Sequence, residues 1–164
     1  MASGDTLLVF TPLANEPPAA NYATLDSRNA HPVLDFDSGG AEIAIFSGVM
    51  PRNYAGGGVT VYVHTSFSSA TTGNYKAQAS FERIGDSQQD IDSDGFASAQ
   101  TTADTAVPGT SGHVDIVAIT FTDGAQMDSV AVGEGFRLKI EFPQASASNA
   151  TGDRELNFVE LKET

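Results

Sequence analysis

Residues 41–66, AEIAIFSGVMPRNYAGGGVTVYVHTS, decide the fold. Two apolar runs flank a connector that cannot be extended sheet. In the second run Val59, Val61 and Val63 alternate with Thr60, Tyr62 and His64, the period of a strand with one buried face. Ile43 and Ile45 set the same period in the first run. Between them, Pro51 lacks a ladder donor, and Gly56-Gly57-Gly58 loses too much chain entropy to stay extended cheaply. The centre of the chain therefore reads as two strands joined by a loop over 50–58.

Working outward, other segments repeat the pattern. Residues 5–10 form a short first strand, and 31–36 another, ended by Ser38-Gly39-Gly40. Tyr75, Ala77, Ala79 and Phe81 alternate with Lys76, Gln78, Ser80 and Glu82, and Phe136, Leu138, Ile140 and Phe142 with Arg137, Lys139 and Glu141. Residues 114–121 are apolar on nearly both faces, which predicts an inner strand or one covered by a partner. The last strand, 156–161, changes phase between Phe158 and Val159, as a bulge would cause. Residues 11–30, broken by Pro12, Pro17 and Pro18, read as an extended arm that lies on its own sheet or reaches a neighbouring subunit. Residues 85–111 form a polar excursion anchored by Phe96. About eight strands and no helix of about ten residues predict an all-β antiparallel sandwich, jelly-roll-like, as one domain over 1–164.

Composition narrows function. With 8 basic against 21 acidic residues, the net charge of −13 repels phosphate backbones and anionic lipid surfaces, so nucleic-acid and membrane partners are not expected. The absence of cysteine removes disulfides and thiolate chemistry. The stretch MASGDTLLVF has no basic n-region and is not read as a signal peptide.

Candidate chemistry is sparse. Asp90-Ile91-Asp92-Ser93-Asp94-Gly95 matches the opening of a calcium loop, in which alternate carboxylates converge and the glycine allows a sharp turn. The twelfth position is Thr101 rather than glutamate, so Asp90, Asp92 and Asp94 stand as calcium ligands against a plain solvated acidic loop; no other cofactor is expected. His31, His64 and His113 lie far apart in sequence and suggest no zinc site. Carboxylate pairs such as Asp35 with Asp37 or Glu134 with Glu141 carry no spacing that marks a glycosidase. No serine sits in a nucleophile elbow, and the chain is read as non-enzymatic. Tyr54, Tyr62 and Tyr75 are the residues from which a sugar-stacking platform would be built.

Several stretches together resemble a family of small virion proteins of tailed bacteriophages, of the head decoration (cement) type. They are NEPPAANYATLDSRNAHPVLDF at 15–36, SGVMPRNYAGGGVTVYVHTS at 47–66, FERI at 81–84 with the acidic loop after it, and VGEGFRLKIEF at 132–142. The resemblance implies a β domain, commonly a homotrimer, seated on the outer capsid surface of the virion and bound to the major capsid protein. It supplies no catalytic residues. On this reading Pro17, Pro18 and Tyr22 in the arm and Arg52, Asn53 and Tyr54 in the central loop are the expected interface. The alternatives are a trimeric tail or fibre receptor-binding domain and a carbohydrate-binding β-sandwich module.

Overall fold

The computed structural model describes residues 4–39 and 41–164. Among these described residues twelve strands run antiparallel: β1 (Thr6–Phe10), β2 (Thr24–Arg28), β3 (His31–Phe36), β4 (Ile43–Val49), β5 (Val59–Phe67), β6 (Asn74–Tyr75), β7 (Gln78–Ile84), β8 (Gln100–Thr101), β9 (Thr105–Ala106), β10 (Asp115–Phe121), β11 (Gly135–Glu141) and β12 (Arg154–Glu163). Six form one sheet in the order β10-β5-β12-β3-β2, with β1 also on β12. The opposite sheet has four, β4-β11-β7-β8, and β6 pairs with β9 as a small flap. The all-β sandwich expected from the alternating segments is present.

The alternation explains the core. Val59, Val61 and Val63 of β5 face inward and are fully buried, as are Phe136, Leu138 and Ile140 of β11. Aromatic contacts stitch the sheets together. Phe81 of β7 meets Phe121 of β10 edge-on at 5.0 Å between centroids, and Phe10 of β1 stacks on Phe46 of β4 at 5.4 Å. Phe36 and Phe142 close the other end at 4.8 Å. Each such pair adds about 0.5–1.5 kcal/mol beyond its buried area.

The central loop turns as its residues require. Gly58 has φ 91°, and a Cβ there would sit 2.4 Å from the Phe121 carbonyl oxygen. Tyr54 is buried rather than displayed, with its hydroxyl accepting from the Gly58 N–H at 2.9 Å and donating to Asp123 at 3.2 Å. It therefore pins the loop from inside. Arg52 and Asn53 are exposed.

Three other expectations are resolved. First, the arm is tied to its own domain. Glu16 N–H donates to the Ile45 carbonyl, Ile43 N–H to Asn21 and Ala23 N–H to Ile43, at 2.8–3.0 Å, while Asn15 Oδ1 accepts from Ile45 N–H. The segment thus seals the free edge of β4. Pro17 and Tyr22 face solvent, and Pro18 is half-buried. Residues 24–28 then form β2, joined to β3 through Asn29 and Ala30, both at positive φ (47° and 63°), as a two-residue hairpin turn requires. Second, residues 115–121 form an edge strand and are not inner: β10 pairs with β5 alone, and Ile116, Ala118 and Thr120 are exposed. Third, the register of β12 breaks at Asn157, between Leu156 and Phe158, one residue before the expected slip.

Candidate functional site

The bulge at Asn157 makes the site. Without it, the inward set Arg154 and Leu156 would continue through Phe158. The extra residue shifts the phase, so Val159 and Leu161 are buried while Phe158 stands outward and half exposed. Phe158 then lies beside His64 on β5, ring centroids 6.0 Å apart at 84°.

Around Phe158 runs a groove of about 700 Å³ across the outer face of the six-stranded sheet. The Pro12–Ala14 turn supplies one wall, with Leu13 at its lip. The β2–β3 turn supplies Arg28, Asn29 and His31, and the segment entering β10 supplies Gly112 and Val114. Ser66 and Asn157 line the floor. The walls are mainly apolar, with few polar groups, the composition of a small-ligand site.

Those polar groups are locked to one another. Arg28 Nη1 donates to Glu155 Oε2 at 2.6 Å and to the Phe67 carbonyl at 2.8 Å. The same carboxylate oxygen accepts from the Ser66 hydroxyl at 2.9 Å, and Asn157 Nδ2 donates to Ser66 Oγ at 3.1 Å. Glu155 is buried and paired, so its charge orients the floor instead of facing a ligand. Gly112 is matched to Arg28: a Cβ there would lie 2.9 Å from Arg28 Nη2.

Asp35 lies beside this network, across from Glu155, and its ionisation is disturbed. Burial, then the charges of Asp153, Glu155, Asp26 and Asp37, push its pKa from 3.8 up to about 6. Asp35 does not line the groove, and Glu155 beside it is occupied by Arg28 and Ser66. Among the described residues, the groove lining holds no pair of carboxyls. The second suggested pair is engaged elsewhere: Glu134 with Arg83, and Glu141 with Gln78 and Lys139.

The sequence-predicted sites fare unevenly. Among the described residues no group of three or more His, Asp or Glu is placed to hold a metal ion. Asp90, Asp92 and Asp94 form a local turn in which the Asp90 carbonyl accepts from the Ser93 and Asp94 N–H groups and Asp90 Oδ1 from Asp92 N–H. The structure does not bring the three carboxylates together as a ligand set. Phe96 does anchor the acidic excursion, lying beneath Arg137 and Lys139 at 5.3 and 5.1 Å. Of the three tyrosines, Tyr54 and Tyr75 are in the core and Tyr62 alone is on the outer face, under Lys162. The exposed phenyl ring in the groove is Phe158, which the phase slip in 156–161 foreshadows. Arg28, His31 and Asn157 carry no such signal in one dimension.

No family model matches the sequence, and no curated protein matches it. Solved structures do share its fold. The CBM22-1 xylan-binding domain of Paenibacillus barcinonensis Xyn10C superposes with a TM-score of 0.53 at 11% identity, covering 99% of this chain and 97% of that one. The CBM22-2 xylan-binding domain of the same protein gives 0.54 at 15% identity, with 92% of each chain covered. A chain of infectious bursal disease virus, Gx strain, gives 0.37 at 10% identity, covering 98% of this chain and 33% of that one. At 11–15% identity the likeness to the two xylan-binding domains is one of fold alone, an antiparallel β-sandwich.

Proposed function

We propose that this chain is a non-catalytic glycan-binding β-sandwich that lays a polysaccharide segment across the outer face of its six-stranded sheet. The observation that carries the reading is the groove around Phe158, with its apolar walls and pre-formed polar floor. An aromatic face matches the C–H face of a pyranose ring, and ring hydroxyls need donors and acceptors already held in place. Phe158 supplies the first. Arg28, Ser66 and Asn157 supply the second, fixed by Glu155. The two xylan-binding domains that share the fold make xylan the first probe. The test is affinity electrophoresis in gels cast with xylan, mixed-linked β-glucan, pectin or bacterial surface polysaccharide. Retardation in at least one gel that is lost in Phe158→Ala supports the reading; equal mobility in all of them overturns it.

A second reading is a virion decoration protein that grips the major capsid protein shell. It is favoured by the exposed apolar side chains Val9, Leu13, Val114 and Ile116, more apolar surface than one sugar ring covers. Co-sedimentation with capsids lacking this chain separates the two readings, because a free glycan-binding module stays in the supernatant.

A further inference from the structure

Unpaired sheet edges invite other strands, and proteins guard them. Most edges here are guarded. The edge of β4 is covered by the arm at 15–23, β8 is two residues long, β2 carries Asp26 and Arg28, and the register of β1 is broken between Thr6 and Leu8. β10 is guarded only lightly: β8 lies beside it, and side chains occupy single N–H groups at its two ends, Asp115 on Ile116 and Gln126 on Thr122. It runs seven residues, DIVAITF, with no proline, no bulge and one charge, Asp115 at its start.

The direction of its free groups can be derived. Ile116 N–H donates to the adjacent Asp115 Oδ1 at 3.0 Å, away from β5. On the other flank of β5, Thr164 N–H donates to the Gly58 carbonyl, which turns even-numbered residues of β5 toward β12 and odd-numbered ones toward β10. Residues 117, 119 and 121 therefore bond to β5, and the N–H and C=O groups of Ile116, Ala118 and Thr120 point outward from the sheet edge.

We propose that β10 is a self-association edge, pairing antiparallel with β10 of a second copy about a two-fold axis through Ala118. The strand is suited to this partner. Ala118 meets its own copy, and the small side chain allows close approach. Ile116 meets Thr120, and Asp115 meets Phe121, so no like charges face each other. The two Asp115 carboxylates end about 20 Å apart. About six backbone hydrogen bonds form, two of them from Ile116 N–H groups that exchange Asp115 Oδ1 for the partner strand, and the sheet continues through both copies. The axis stands perpendicular to the sheet, so both Phe158 grooves open on the same side. If the grooves bind a polymer, two sites on one face add avidity; that consequence rests on the proposed function, whereas the dimer does not. Each copy carries a net charge of −13, so long-range repulsion opposes pairing and salt relieves it.

The test is sedimentation equilibrium of the full chain at about 0.02 and 0.5 M NaCl, which changes the Debye length several-fold. The expected result is a species of twice the 17.1 kDa chain mass, tightening with salt. Ala118→Pro removes the central pair of hydrogen bonds without touching the bonds to β5, and raises the dissociation constant by about a hundredfold. Ala118→Lys sets two cations opposite each other across the axis and serves if the proline variant does not fold; it weakens the dimer by about fivefold. A wild type that stays monomeric in both salts, a trimer, or a dimer untouched by the folded variants overturns the proposal.

Discussion

Replacing Asp35 with asparagine is expected to stabilise this protein at neutral pH, and the reason is local. Asp35 is half-buried on β3, opposite Glu155 on β12, with Asp153, Asp26 and Asp37 nearby. Its Oδ1 is buried without a hydrogen-bond partner. Desolvation first, and then those four charges, lift its pKa from 3.8 to about 6. Taken at face value, that lift is a penalty of about 3 kcal/mol on the ionised form, which solvent screening of a half-buried group reduces to about 1 kcal/mol. The sign follows from proton linkage. The folded state holds this proton more tightly than the unfolded state, so the penalty is absent below about pH 4, grows as pH rises toward 6 and is complete above it. The amide of Asp35→Asn keeps the shape and removes the charge. Thermal melts of both proteins at pH 3.5 and 7.5 give the answer: a gain of about 2–4 °C at the higher pH and none at the lower. Equal melting temperatures at pH 7.5, or the same gain at both pH values, would refute the electrostatic account.

Other perturbations test other parts. Gly58→Ala puts a Cβ against the Phe121 carbonyl at an unfavourable φ and should cost about 3 kcal/mol in urea unfolding; a cost near zero would mean the loop does not turn as described. Tyr54→Phe leaves the buried Gly58 N–H without its acceptor and should cost about 1–3 kcal/mol, read the same way. Adding calcium or EDTA should leave the melting temperature unchanged, because Asp90, Asp92 and Asp94 do not converge; a calcium-dependent rise would contradict that geometry. Glu155→Gln loosens Arg28 and Ser66 together and should weaken glycan retardation in affinity gels while the fold, read by circular dichroism, stays intact. Undiminished retardation would remove Glu155 from the account.

Much of the fold was legible because burial imposes a period. β5, β7 and β11 announce themselves by alternation, and their inward residues are the core. β2 escaped because it is exposed along most of its length and turns on Asn29-Ala30, with no glycine to mark positive φ. For β10 the inner-strand alternative fails for the opposite reason. Its apolar outer face reads as burial, yet it stands at an edge, and sequence periodicity does not distinguish a covered face from an exposed one. Tyr54 looked like a displayed ring in a loop and proved to be that loop's internal pin. The site is the least legible part. It depends on one inserted residue in β12 and on Arg28, His31, Ser66 and Gly112, which meet only because β2, β3, β5 and β12 lie side by side.

The most direct test of the central claim is an amide chemical-shift titration of the isotope-labelled chain with xylo-oligosaccharides, mixed-linked gluco-oligosaccharides and oligogalacturonides. The account expects at least one of them to shift a contiguous set of amides at 28–31, 33, 64–66, 112–114 and 157–158, with none on β4, β11 or β7. Shifts confined to the four-stranded sheet, or no shifts with any of these sugars, would contradict glycan binding in the Phe158 groove.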